Sequence, residues 1–346
     1  PMFSRRSFVA GTALAAGNVL VSGAAPLPAR RLPLAFLGAG YSHFAGKYQV
    51  ATESPEFEVI GVCEEDAAVR GTVAKPPRWI SFEELVQRSE VVVVESEVRR
   101  HAADALRALE AGKHVHVEKP PAETMSGFDA LLAAASRQKR LLQVGYMWRF
   151  NPGLVALLKA ARAGAFGEIF MVRATMNTLA GPAERRLWAG FAGGAMFEQG
   201  CHLVDAVVRL LGRPSRVTPF LQQLGRPGDD LADNAVAVLE FPAAMAVISS
   251  APRQPGAGPH RFFEVTGTLG TGRLQPLEPP RLVLDLSEAG AGYPAGHQEI
   301  PLPAYRRYGD DFAALAAAIR GGTPLSVPPE TERVVQETVL RACGMA

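Results

Sequence analysis

Short apolar runs alternating with helical stretches constrain this chain more than any other feature. Residues 33–37, 57–62, 91–94, 114–117 and 141–145 read as strands, and segments such as 102–111 and 122–136 between them read as helices. Strands separated by helices pair parallel through right-handed crossovers, with helices covering both faces of the sheet. Beyond Asn151-Pro152 the pattern changes. A helix over 153–163 leads to a strand over 169–176, and strands at 234–241, 245–250, 262–266 and 281–286 then follow without helices between them. Such a series builds a largely antiparallel open sheet. A helix from about 197 to 211, ended by Gly212, interrupts the series, and 310–319 and 330–342 return to helix.

At 346 residues the chain exceeds one ordinary core and fits two domains. Its formal net charge of +2 gives no basic field that would suggest nucleic acid. Cys63, Cys201 and Cys343 are odd in number and far apart, which excludes a disulfide framework or a C-x-x-C metal knuckle. They read as small buried hydrophobes. Ser4-Arg5-Arg6-Ser7-Phe8 precedes a weakly apolar, small-residue stretch, and a Pro/Ala segment closes on Arg30-Arg31. This is the layout of a twin-arginine export signal, so residues 1–31 are assigned to signal and linker and the protein to the periplasm. Asn18 and several glycines make the stretch a poor membrane span.

Gly38-Ala39-Gly40 directly follows the first strand. Glycines there permit a tight turn and let the backbone approach a pyrophosphate at the next helix N-terminus, with Tyr41 and Ser42 in the same turn. His43 replaces the third glycine of G-x-G-x-x-G, either packing or stretching the loop toward substrate. Glu64 closes the second strand, where a carboxylate binds a ribose 2′-hydroxyl. With Glu65 and Asp66 beside it and no arginine adjacent, a 2′-phosphate is repelled, so NAD is expected in preference to NADP.

Gly112-Lys113-His114-Val115-His116-Val117-Glu118-Lys119-Pro120 resembles a strand of the Gfo/Idh/MocA family of oxidoreductases, which ends in Glu-Lys-Pro, often after Ala-Gly-Lys-His-Val. His101 and Ala111-Gly112 fall where that family places them. The run from Gly193-Gly194 through Glu198-Gln199-Gly200-Cys201-His202 to Asp205 is similar to its Gly-Gly…Asp-x-Gly-x-His-x-x-Asp helix. Arg149-Phe150-Asn151-Pro152 matches its domain junction, and Phe263-Glu264-Val265-Thr266-Gly267-Thr268 with Gly270-Thr271 its late strand and turn. The resemblance implies a Rossmann domain over 32–150 and an α/β substrate-binding and oligomerisation domain over 151–346 with an open, mainly antiparallel sheet.

Hydride transfer from a carbinol needs a base for the hydroxyl proton. A lysine at a strand's carboxyl end lies where open α/β sheets bind ligands, so Lys119 is placed to donate to the substrate oxygen, with Glu118 holding its ammonium and Pro120 fixing the turn. Steps of four and three put Glu198, His202 and Asp205 on one helix face. The resemblance makes His202 the proton acceptor; its acidic neighbour is Glu198 here in place of the family's aspartate. Three such side chains on one face could instead ligate zinc, although no second histidine completes the set. Ser96-Glu97, after Glu95, stands where many relatives carry Thr-Pro beside the nicotinamide, and His101 completes the cofactor candidates. Tyr146, Trp148, Arg149, Arg186 and Trp188 are candidate sugar contacts and Asp205 a further substrate-binding candidate, with Trp188 equally a core residue. The expected protein is a nicotinamide-dependent oxidoreductase of a sugar or sugar-like polyol, a homodimer or homotetramer that keeps its cofactor bound and recycles it. The alternatives are glycoside cleavage by oxidation and elimination, and a non-catalytic sugar or cofactor sensor.

Overall fold

A computed structural model of the chain describes residues 30–75, 77–225 and 229–346. The twin-arginine segment lies outside the described residues. The first sheet is built from β1 (Leu32–Leu37), β2 (Phe57–Cys63), β3 (Val91–Val94), β4 (His114–Val117) and β5 (Leu142–Val144). All neighbours in its order β2-β1-β3-β4-β5 run parallel. The crossovers carry α1 (Phe44–Glu53), α2 (Ala67–Thr72), α3 (Phe82–Arg88), α4 (His101–Glu110) and α5 (Met125–Gln138). The apolar runs read as strands are the ones that lie buried: Leu34, Phe36 and every residue of β3 are inaccessible to solvent. Parallel strands sandwiched between helix layers require this two-sided burial.

The second half opens with α6 (Pro152–Arg162), where the Asn151 side chain accepts from the Gly153 and Leu154 N–H groups at 3.0 and 3.1 Å and so caps the helix start. Then come β6 (Ile169–Thr175), α7 (Pro182–Trp188), α8 (Cys201–Leu211), β7 (Arg216–Gln222), β8 (Asn234–Glu240), β9 (Met245–Ser250), β10 (Phe262–Gly267), β11 (Gly270–Leu274), β12 (Leu282–Leu286) and β13 (Gly296–Ile300). Helices α9 (Gly309–Ile319) and α10 (Pro329–Ala342) close the chain. The eight strands form one sheet in the order β13-β12-β11-β10-β6-β9-β8-β7, antiparallel except for the pair β6 and β9. One face is covered: α6 packs on β11, α8 on β6 and β9, and α10 on β7. The other face is open, so β8 alternates buried Ala235, Ala237 and Leu239 with half-exposed Val236 and Val238. Three strands of this sheet escape the apolar pattern. β7 carries Pro219, which an edge strand tolerates; β11 is glycine-rich; β13 is almost wholly polar. No helix of the described residues is long and apolar enough to cross a membrane.

Candidate active site

The carboxyl ends of β1, β3 and β4 meet the start of α8. Gly38 has φ of +87°, and a Cβ on it would lie 2.3 Å from the Ser96 backbone nitrogen, so only glycine lets the two strand ends approach this closely. Gly40 and Ser42 face solvent, and the Ser96 hydroxyl is buried without a partner. The His101 ring lies between the Pro120 and Ser96 carbonyl oxygens, 2.9 Å from each, which ties the end of β4 to the end of β3. Burial lowers its pKa, so the neutral ring donates to one carbonyl at a time. Glu64 is buried at the end of β2, accepting from the Ala39 and Asp66 N–H groups at 2.9 Å each. No arginine is adjacent to Glu64 in the sequence, but the fold brings Arg100, at the cap of α4, within 3.9 Å of it, and Arg107 of α4 pairs with Glu65 at 3.1 Å. Both arrive from a different crossover, which sequence adjacency to Glu64 does not report. A depression of about 500 Å³ opens there, lined by Glu64, Glu65, Arg70, Trp79, Phe82 and Arg107.

Lys119 is 3% exposed, and its ammonium donates to the Glu198 carbonyl oxygen at 2.6 Å and to Glu198 Oε1 at 3.1 Å. Burial works against that charge, but Glu198 outweighs it and raises the Lys119 pKa. The Tyr41 hydroxyl donates to the same Oε1 at 2.5 Å. The assignment of Glu118 as the ammonium's holder is therefore corrected. Glu118 Oε2 accepts the Lys119 backbone N–H at 2.7 Å, while Oε1 meets Lys47 Nζ at 2.5 Å and His43 Nδ1 at 2.9 Å. The glutamate points away from its neighbour in sequence because successive residues at a strand end face opposite ways.

His202 is 2% exposed; burial first, then the Lys119 charge, hold its pKa well below the usual value. Its ring packs 4.9 Å from Trp148 and 5.7 Å from Tyr146, and its Nδ1 has no partner. The single α-helical face expected for Glu198, His202 and Asp205 is altered by a π turn over Met196–Gly200, a feature common at functional sites. Glu198 turns to Lys119, and Asp205 turns to Arg149 and Arg209. Among the described residues no group of three or more His, Cys, Asp and Glu side chains could hold a metal ion.

Arg149 and Asp205 are corrected as sugar contacts. The guanidinium donates to Asp205 Oδ1 at 2.7 and 3.0 Å and to Glu332 at 2.5 and 2.8 Å, and all three residues are buried. This triad pins α8 and α10 to the turn before α6. Trp188 packs with Ala180, Ala195 and Leu231 in a small separate core, which settles its open reading toward packing. Arg186 lies on the rim of a depression of about 990 Å³ with Leu179, Leu224 and Arg253. Tyr146 is buried against His202 with an unpartnered hydroxyl.

Beneath this site lies a charge cluster that the motifs did not signal. Lys47, on α1, is wholly buried and meets Glu118 at 2.5 Å, Glu95 at 2.8 Å and His116 Nε2 at 2.8 Å. The only sequence signal was charge within otherwise apolar runs, notably the alternation His116, Glu118 along β4.

The residues present fit a dinucleotide. The glycine cradle at Gly38 is closed against Ser96, the acid stands at the end of β2, and unpartnered buried atoms collect at Ser96 Oγ, Glu198 Oε2, His202 Nδ1 and Tyr146 Oη. Two family models match: residues 32–146 fit one described as an oxidoreductase family with an NAD-binding Rossmann fold, and residues 154–273 fit the GFO/IDH/MocA C-terminal domain. Inositol 2-dehydrogenase 2 of Paenarthrobacter aurescens (strain TC1) is 32% identical over 55% of this chain and 58% of its own length. Trans-1,2-dihydrobenzene-1,2-diol dehydrogenase of Bos taurus is 27% identical over 72% of this chain and 73% of its own. The alignments span 62% and 24% of the first two curated relatives. The crystal structure of aldose-aldose oxidoreductase from Caulobacter crescentus, complexed with glycerol, has a TM-score of 0.76 at 22% identity, covering 91% of this chain and 98% of that one. At that identity the likeness is one of fold.

Proposed function

This chain belongs to the Gfo/Idh/MocA family of oxidoreductases, and on that premise we propose that it moves a hydride between a nicotinamide cofactor and a secondary hydroxyl of a sugar or sugar-like polyol. The observation that carries the reading is the meeting of the Lys119 ammonium with Glu198 at the start of the helix that bears a neutral, unpartnered His202. A nicotinamide bound at the carboxyl ends of β1 and β4 supplies the hydride acceptor. Lys119 donates to the substrate oxygen and stabilises the negative charge that develops on it. The ammonium must first give up a bond to Glu198, whose second oxygen is free to accept from a substrate hydroxyl. His202 receives the hydroxyl proton, a role a neutral imidazole fits. Relatives named for inositol and dihydrodiol oxidation support a cyclic polyol as the substrate class.

NAD is the proposed nucleotide. Both Glu64 oxygens are anchored by backbone N–H groups, and Arg100 is shared with Asp104 at 3.4 Å, so neither turns easily toward a 2′-phosphate. The twin-arginine pattern further suggests export of the folded protein with its cofactor retained. The open face of the second sheet, where Phe220, Val236, Val238, Met245 and Val247 stand together on β7, β8 and β9, suits burial against a second copy.

The test is a panel of inositols, aldoses and diols with NAD and NADP, read by the absorbance of the reduced nicotinamide. Reduction of NAD by a polyol is the expected result. A released aglycone would move the reaction to oxidative elimination, and no turnover with tight nucleotide binding would make the protein a sensor.

A further inference from the structure

Lys47 takes no part in the proposed hydride transfer, yet three buried side chains converge on it. Its ammonium forms ion pairs with Glu118 Oε1 at 2.5 Å and Glu95 Oε1 at 2.8 Å and donates to His116 Nε2 at 2.8 Å. Lysine can only donate, so His116 Nε2 is the acceptor and its Nδ1–H donates to Gln143 Oε1 at 3.1 Å. Space for this cluster comes from Gly145: a Cβ there would lie 3.0 Å from Lys47 Nζ, 3.1 Å from His116 Nε2 and 3.2 Å from Glu118 Oε1.

The cluster reaches the cleft through His43. This residue stands at the cap of α1 but makes no side-chain capping bond. Its Nδ1 lies 2.9 Å from the Glu118 oxygen that Lys47 also holds. A carboxylate between an ammonium and a backbone N–H is acceptor only, so the proton of that bond belongs to His43 Nδ1. Nε2 is left without a protein partner, on a side chain 16% exposed and packed edge-on to Tyr41 at 5.0 Å. The charged and titratable groups around it are Lys47 and Tyr41 beside it, Glu118 and Lys119 from β4 and its end, His202 from α8, and Tyr308 before α9.

We infer that Lys47 is a positioning residue: through Glu118 it locks His43 in the Nδ1–H tautomer, so that His43 Nε2 faces the cleft as an acceptor for a ligand hydroxyl. This rests on the reading that ligands enter beside Lys119. Without Lys47 the buried Glu118 loses the cation paired with its Oε1, takes up a proton, and the bond to His43 inverts.

Imidazole nitrogen NMR on the ligand-free protein reads the tautomer directly, with His43→Gln identifying the resonance. The wild type should show His43 as Nδ1–H, Lys47→Met as Nε2–H, and Lys47→Arg a return toward the wild-type form. If Lys47→Met does not fold, Lys47→Gln with Glu95→Gln keeps polar groups in the pocket and should show the same inversion. An Nε2–H ring in the wild type, or an Nδ1–H ring in the folded variant that lacks the cation, overturns the inference. Where the wild type oxidises a polyol, Lys47→Met should lower kcat on the order of tenfold, the worth of one hydrogen bond; an unchanged kcat also overturns it. A wild type that turns over no polyol retires the proposed reaction instead, and the tautomer still decides this point.

Discussion

Asp311 and Glu95 both lie close to Lys47, and burial governs their protons. It pushes the Asp311 carboxyl up to about 7 and the Glu95 carboxyl up to about 8, with Lys47 opposing in each case. In the unfolded chain both ionise near 4. Between those values the folded protein binds more protons than the unfolded one, so these two groups make stability fall as pH rises from about 4 toward 8. Glu118 acts in the opposite sense. Against the cost of its burial, Lys47 and His43 hold its pKa well below the usual range, so its contribution is present above that range and is lost as pH falls through the depressed value. Asp311→Asn should therefore flatten the loss of urea resistance between about pH 4 and 7; an unaltered slope would refute the assignment. Lys119→Ala should cut turnover by roughly a hundredfold to ten-thousandfold while nucleotide binding persists, and equal loss of both would make the residue a structural one. Lys119 was legible in the sequence because Glu-Lys-Pro ends a strand. The partner of its ammonium was not, because Glu118 and Glu198 are both carboxylates within reach until the fold chooses between them.

The π turn, α8 and α10 show what the elements add. Asp205 and Glu332 clamp the Arg149 guanidinium, and although burial opposes its charge, they raise its pKa. Removing the arginine leaves the buried Glu332 without its paired cation and Asp205 with Arg209 alone, at 3.4 Å. Arg149→Ala should cost about 3–5 kcal/mol, read as a lowered denaturant midpoint, and a loss under 1 kcal/mol would mean the triad contributes little. At β1, Gly38→Ala would drive a methyl group into the Ser96 backbone, 2.3 Å away, where no side-chain rotation relieves it. Nucleotide affinity should drop at least tenfold, by titration calorimetry, with most of the secondary structure retained; undiminished affinity would show that the β1–β3 contact does not shape the cofactor site. The strands of the first sheet were readable because two-sided burial makes them continuously apolar. β7, β11 and β13 were not, since one side of the second sheet is open and the edges tolerate proline, glycine and polar residues.

At the scale of the molecule, the uncovered face of the second sheet predicts self-association. Val236 and Val238 pair across the ladder with Phe220 and Val247, giving a continuous apolar strip. Sedimentation should show a dimer or a multiple of it, and Val247→Lys should shift the protein toward monomer without unfolding it; a wild type that is monomeric at micromolar concentration would rule this out. The sequence alone determined the strands of the first sheet, the parallel and antiparallel halves, and the residues at the ends of β1 and β4, because periodicity and short motifs are local. Only the tertiary structure decided which charges meet. Tyr41 finds Glu198 across 157 positions and Arg149 finds Glu332 across 183, and a buried ionic side chain carries no local mark of the partner that makes its burial tolerable.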